Sequence, residues 1–473
     1  MKKILLLAAF SVTVFVLPAQ NAKQSAIKSI DASYDQYSNI ARKIWEHAEV
    51  GFHEDQSSAL LQDMLIQAGF KVEKNVAGMP TAFVATYGDG KPVIGILGEF
   101  DALPGLSQDA VPEKKVIEGK SAGHACGHHL FGVASAAASI AVKNWLAQNK
   151  KSGTVRFYGT PAEEGGSGKV YMVRGGLFND VDIVLHWHPS PVNSARTGGT
   201  LANKTGKFRF YGVASHAAAS PERGRSALDA VEAMDMMVNM MREHLPEETR
   251  IHYVITRGGE APNVVPAFAE VYYYVRHPQR EEVKAIWERL VKAAQGAALG
   301  TDTRMEFEII GGVYNMMPNE VLGKLMDSNL RVVGGYTYTE QEKEFAEKIQ
   351  KTFTNAPKLE STREIEPFKI EDGIGSTDVA DVSWVVPTTG LSTATWVPGT
   401  AAHSWQAVAA GGMSIGYKGM MMAAKTLALT AIDLYNSPAV IGEAWKELKK
   451  RRGDSFQYEA LIGDRKPALN YRD

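Results

Sequence analysis

Across 473 residues there is one cysteine, Cys126. A lone thiol has no partner within the chain, so no intrachain disulfide braces the fold and an apolar core must hold it together. With 45% hydrophobic residues, a chain of this length has ample material for such a core, and the length predicts two or three domains. An excess of one charge is also lacking: 51 Lys and Arg stand against 53 Asp and Glu. A net charge of -2 therefore predicts no nucleic acid and no anionic membrane surface as partner. The dense basic run at 449–452 reads as the solvated face of a helix begun at Glu443. The apolar run at 4–17 is shorter than the roughly 20 residues that span a bilayer, and no later charge-free run is that long, so no membrane anchor is expected. Lys2 and Lys3 precede that run and the small or polar Pro18, Ala19 and Gln20 follow it. This pattern predicts a signal peptide over residues 1–22, cleaved near 19–22, and a periplasmic or secreted product. Internal repeats, low-complexity tracts and Gly-rich phosphate motifs are absent as well.

What is present is alternation. Residues 30–70 carry apolar side chains at helical spacing, with Gly69 as the stop. "TAFVATYG" and "KPVIGILGEF" read as strands, the second nearly continuous in apolar residues, as expected when both sheet faces are covered. A helix of small residues follows from about Leu130, then the strands "GTVRFYGTP" and "DVDIVLHWHP". Strands alternating with helices predict an α/β domain with a largely parallel sheet. Near residue 203 the order becomes β-α-β-β-α over about 100 residues, which predicts an inserted α+β unit at 203–302 between two parts of the first domain, 23–202 and 303–473. From about 303 the α/β character is expected to resume with "RMEFEII". Residues 333–372 are polar and turn-rich, and read as a surface excursion.

The chemistry concentrates around "GHACGHH". Cys126 and His128 are two residues apart, a spacing that puts both side chains on one side of an extended segment. A helix starting just beyond them would favour the thiolate. "GTPAEEGGSG" puts Glu163 and Glu164 at the carboxyl end of a strand, the edge where open α/β sheets bind ligands. Adjacent carboxylates in one cleft repel each other unless a cation lies between them. His186 and His188 lie near the end of another strand, and His403 follows the last. A single histidine at such a place is more often structural than a ligand. Several metal-binding groups, each near the end of a predicted strand or in the loop after it, argue together for a metal centre. The donors outnumber the four that a tetrahedral zinc ion takes, which implies two divalent ions able to polarise a carbonyl and activate water, with one carboxylate free to act as general base.

These motifs, with "GEFDALPGLSQ", "ASHAAASPERGRSALDAV", "PNVVPAFAEV" and "STDVADVSW", resemble the co-catalytic dimetal amidohydrolases and exopeptidases, a family that includes aminoacylases, hippurate hydrolases and auxin-conjugate hydrolases. The resemblance spans nearly the whole chain beyond residue 22. It implies a metallo-exopeptidase-like α/β catalytic domain with an inserted α+β lid or dimerisation domain. It further implies Cys126, His128, Glu164, His188 and His403 as metal ligands, with Cys126 bridging, and Glu163 as general base. His188 is preferred because the family's ligand histidine stands six residues after the aspartate of this strand, here Asp182; His186 is then a neighbour, and an exchange of roles stays open. Glu99, or alternatively Asp101, would orient a ligand histidine. Where the family has Asp directly after "CGH", this chain has His129. On the lid, the resemblance makes His216 a catalytic donor reaching a partner subunit's site, and Asn263 and Arg276 substrate-binding residues, the arginine suited to a carboxylate.

The implied function is hydrolysis of the amide of an N-acyl or N-aroyl amino acid, an acyl-glutamate such as p-aminobenzoyl-glutamate being the expected substrate. Cofactors would be two ions, zinc or manganese, since thiolate favours the first and oxygen ligands admit the second. The expected partner is a small-molecule substrate, together with a second copy or a related subunit docking through the lid. Two rival readings are a broader metallo-exopeptidase acting on dipeptides and a catalytically silent partner subunit.

Overall fold

The computed structural model describes residues 16–195, 197–373 and 375–472, with side chains from residue 23. The expected signal peptide lies largely outside the described residues. Six strands form the first sheet: β1 (Lys71–Lys74), β2 (Phe83–Asp89), β3 (Val93–Gly98), β6 (Gly153–Gly159), β7 (Ile183–Ser190) and β12 (Thr388–Ala394), in the order β1-β2-β6-β3-β7-β12. Between β3 and β6 lie two short strands, β4 (Leu103–Pro104) and β5 (Ala122–Gly123), paired with each other. Strands β6, β3, β7 and β12 run parallel, while β1 and β2 close one edge antiparallel. Every residue of β3 is buried, as a strand covered on both faces requires.

One face of the sheet is covered by α1 (Val16–Asp31), α2 (Tyr34–His47), α3 (Asp55–Gln67) and α4 (His128–Asn149), together with α8 (Glu320–Val333) and α12 (Ser414–Asn436). α4 is apolar and long enough to cross a membrane, yet it is buried in the core, where its alanines and serines let it lie against the sheet. On the other face stand α5 (Gly168–Arg174) and α10 (Val379–Val385).

The second sheet is antiparallel: β8 (Ala202–Tyr211), β9 (Arg250–Arg257), β10 (Phe268–His277) and β11 (Arg304–Val313), ordered β11-β8-β10-β9. Helices α6 (Ala227–Met241) and α7 (Arg280–Gly300) share its core, into which Phe208, Phe210, Tyr273 and Val275 point. α9 (Glu340–Gln350), α11 (Trp405–Gly411) and α13 (Pro438–Arg452) complete the chain.

Three expectations are corrected. The helix expected over 30–70 is interrupted, because Ala48 turns left-handed at the end of α2 and α3 starts at Asp55. "RMEFEII" belongs to β11 and pairs with β8 in the second sheet, so the α/β layer does not resume there. The stretch expected as a surface excursion contains α9, started by a capping box in which Thr339 accepts from the Glu342 amide and Glu342 accepts from the Thr339 amide.

Candidate metal centre

The carboxyl ends of the four parallel strands face one place, and each sends a chain segment into it. Glu99 and Asp101 follow β3, Glu163 and Glu164 follow β6, His188 lies near the end of β7, and His403 comes after β12. Cys126 and His128 come from the loop leading into α4. This segment is a turn and not the expected extended stretch: Gly127 is left-handed at φ +77°, and a Cβ there would lie 2.7 Å from Pro189, so only glycine fits. The helix begins at His128 itself.

Three groups of donors form. Cys126, His128 and His188 offer atoms within 4.8 Å of one another, as do Cys126, Glu164 and His403, and Glu99, His128 and Glu163. Cys126 is common to two groups, and its Sγ lies 3.4 Å from His188 Nε2. His128 Nδ1 donates to Asp101 Oδ1 at 2.9 Å, and His188 Nδ1 to the Pro189 carbonyl at 2.8 Å. In both rings the Nε2 lone pair is thereby turned to the cluster, the usual arrangement of a metal-ligating imidazole. Asp101 also accepts the Glu164 amide at 3.0 Å, so one carboxylate fixes members of two groups. His403, left-handed at φ +59°, places Nε2 3.1 Å from Glu164 Oε1.

The electrostatics suit cations. Burial pushes the Cys126 thiol up, opposite to the expected lowering by the helix start, because the cost of an unsolvated thiolate outweighs the attraction of His128. A bound cation supplies the charge that reverses this. His128 Nε2, Glu99 Oε2 and Glu164 Oε1 are buried without a hydrogen bond; His128 Nε2 approaches Glu99 Oε2 to 3.0 Å, out of hydrogen-bonding geometry. Donor atoms facing one another in this way, a sulfur, imidazole nitrogens and carboxylate oxygens, fit divalent ions of the zinc or manganese kind. Burial, then Glu99 and Glu164, push Glu163 well up, the direction useful to a group that takes and returns a proton near neutrality. Burial also raises Glu164, but the nearby His403 and His128 rings, His403 Nε2 lying 3.1 Å from Oε1, outweigh it and hold this carboxylate low.

Around the donors lie residues whose part the sequence did not show. Lys169 is fully buried, with Nζ 2.7 Å from Glu99 and 2.6 Å from Asp378. Glu54 accepts the Ala162 amide and the Thr81 hydroxyl, each at 2.8 Å. Ala162 is left-handed at φ +55°, so Glu54 secures the strained turn that presents Glu163 and Glu164. "GFHE", "GGSGK" and "STDVAD" carry these residues, but only long-range pairing shows their use.

The remaining candidates lie apart from the donors. His186 is lowered to about 3 by burial and packs over Gly390 of β12. His129, also lowered to about 3 by burial, has its Nε2 2.9 Å from the Gly411 carbonyl, so the family's aspartate is replaced by a neutral ring tied to the end of α11. His216 is exposed beyond β8, and its Nδ1 accepts from the Ala218 and Ala219 amides at 3.2 and 3.1 Å. Its Nε2 then carries the proton. Asn263 is exposed beside it, its carbonyl accepting the Ala217 amide at 3.0 Å. Arg276 lies on β10 with its guanidinium 5.6 Å from the Tyr274 ring.

Residues 199–302 match the M20 peptidase dimerisation domain. The chain is 42% identical over 448 residues to one of the subunits of p-aminobenzoyl-glutamate hydrolase from Escherichia coli strain K12, covering 89% of this chain and 93% of that protein. It is 29% identical over 443 residues to the Xaa-Arg dipeptidase of Mus musculus, covering 90% and 92%. A dinuclear metal-binding M20 peptidase from Bacillus subtilis shares the fold with a TM-score of 0.58 at 18% identity, over 86% of this chain and 99% of that one. This chain belongs to the M20 family of peptidases and amidohydrolases, hydrolases that act on amide bonds.

Proposed function

We propose that the chain is a two-cation amidohydrolase that cleaves the amide of N-acyl or N-aroyl amino acids, acyl-glutamates foremost. The observation that carries this reading is the overlap of two donor groups at Cys126. His128 and His188 would hold one ion, Glu164 and His403 the other, and Cys126 both. Bound there, divalent ions supply Lewis acidity to the substrate carbonyl and lower the pKa of water. The chain's own groups do the rest. Glu163 takes the proton from the attacking water and returns it to the leaving nitrogen. His216, protonated at Nε2, donates to the developing oxyanion when a lid closes or a partner supplies it. Asn263 and Arg276 hold the substrate oxygen and carboxylate.

Glu163→Ala is expected to keep bound metal and lose about 10²–10⁴-fold in turnover. Retained turnover removes Glu163 from the role. Assaying p-aminobenzoyl-glutamate, hippurate and dipeptides side by side separates this reading from the dipeptidase reading, which the likeness to Xaa-Arg dipeptidase favours. Activity of the purified chain alone excludes a silent partner subunit. The lid would mediate pairing with a second copy or a related subunit: Met236, Met240 and Val254 are exposed at 61%, 63% and 55%, and β9 is an edge strand. Export to a periplasm or beyond the cell, supported by the N-terminal charge and apolar run, completes the proposal.

A further inference from the structure

Beyond α13 the chain crosses both layers. The Tyr458 hydroxyl donates to Asp381 of α10 at 2.7 Å, and Glu459 pairs with Lys284 of α7 at 3.0 Å. Arg465 donates to the Ile310 carbonyl of β11, and the Tyr171 hydroxyl of α5 donates to the Lys466 carbonyl at 3.3 Å. The tail thus touches the lid and the catalytic layer by turns, and it brings Tyr471 and Arg472 to the turn carrying Glu163 and Glu164. There the Tyr471 hydroxyl donates to the Glu164 carbonyl at 3.1 Å, and the Arg472 guanidinium donates to the same oxygen. Glycine makes the approach possible. A Cβ at Gly51 would lie 2.2 Å from the Tyr471 oxygen.

That bond uses one of the five guanidinium donors, while the guanidinium lies 4.7 Å from the centre of the Tyr471 ring. Its Nε is buried without a hydrogen-bond partner, and so is that of Arg276. The two are connected. Alternation along β10 puts Tyr272, Tyr274 and Arg276 on the face opposite Tyr273 and Val275, away from α6 and α7. The Tyr272 hydroxyl donates to that of Tyr274 at 3.3 Å, Arg276 lies over the Tyr274 ring, and the charge of Arg472 acts on Tyr272. Two arginines, each with an unpaired Nε, therefore bracket this face: Arg276 lies over Tyr274, and Arg472 sits on the Glu164 carbonyl, near enough for its charge to reach Tyr272. One arginine serves one carboxylate; two suit a dicarboxylate.

Resting on the amidohydrolase reading above, we propose that Arg472 is a specificity residue that binds the side-chain carboxylate of an acidic N-acyl amino acid, while Arg276 binds its α-carboxylate. A tail clamp without contact to substrate would affect all substrates alike. The test is kcat/KM for N-benzoyl-glutamate and N-benzoyl-alanine with the metal-loaded chain and its Arg472→Met and Arg472→Lys variants. The ratio of the two values within one preparation does not depend on how much of it is folded. Arg472→Met is expected to lower that ratio about 10- to 100-fold, chiefly through KM for the glutamate substrate, with Arg472→Lys between it and wild type. An unchanged ratio, whether both activities fall or neither does, overturns the proposal while leaving the amidohydrolase reading in place. A wild-type chain that hydrolyses neither compound overturns both.

Discussion

Lys169 keeps a positive charge where its side chain has no exposure, because Glu99 and Asp378 both reach it. Burial alone would lower its pKa; the two carboxylates outweigh that and raise it. Lys169→Met leaves two acids in the interior without a counter-charge and is expected to cost about 3–5 kcal/mol in urea unfolding. A loss below about 1 kcal/mol would mean that the acids are neutral in the folded state. Glu54 allows a finer comparison. Glu54→Ala strips the acceptors from the Ala162 amide and the Thr81 hydroxyl, and is expected to cost about 1–3 kcal/mol and to lower kcat as the Glu163 turn relaxes. Glu54→Gln, with one oxygen for the amide and an NH₂ for the hydroxyl, should keep most of both. The order of the two variants in thermal melts and turnover checks this.

Within the dimerisation domain, α6 and β10 are joined by the Tyr273 hydroxyl, which donates to Asp235. Burial pushes Asp235 up to about 6. A raised acid pKa stabilises the fold below its unfolded value, near 3.9, and that contribution is lost as pH rises through about 6. Asp235→Asn, which keeps the acceptor, should therefore match wild type near pH 4 and exceed it at pH 7–8 by up to about 1 kcal/mol once solvent screening is allowed for. Melting curves across that range decide it. Much at this scale could be read from the chain. The runs that became β3, β6 and β7 are short and largely apolar or aromatic, and donor-bearing residues stand at or just beyond their ends. The signature Thr339-x-x-Glu342 was equally readable and predicts α9, although its polar surroundings suggest a loop. Other features were not readable. Ala48 turns left-handed without a glycine, and β11 pairs across almost a hundred residues with β8, a choice made by its neighbours and not by its own composition. The Glu54 to Ala162 bond likewise joins segments with no shared local pattern.

For the molecule as a whole, ligand linkage gives the clearest expectation. On the proposed two-ion reading, a chelator should lower stability by about 2.7 kcal/mol for each ion that had been held at a hundredfold excess over its Kd, and zinc or manganese should restore both melting temperature and turnover. Assembly gives another: Met240→Glu with Val254→Glu is expected to turn a lid-paired dimer into a folded monomer, visible as a halved mass in light scattering with unchanged circular dichroism. The order of the donors along the chain has a last consequence. His403 emerges from the ribosome long after Glu99 and only once the whole dimerisation domain has been made, so the proposed two-ion centre is complete only in the finished chain. Metal choice is then deferred to wherever the finished polypeptide closes on itself.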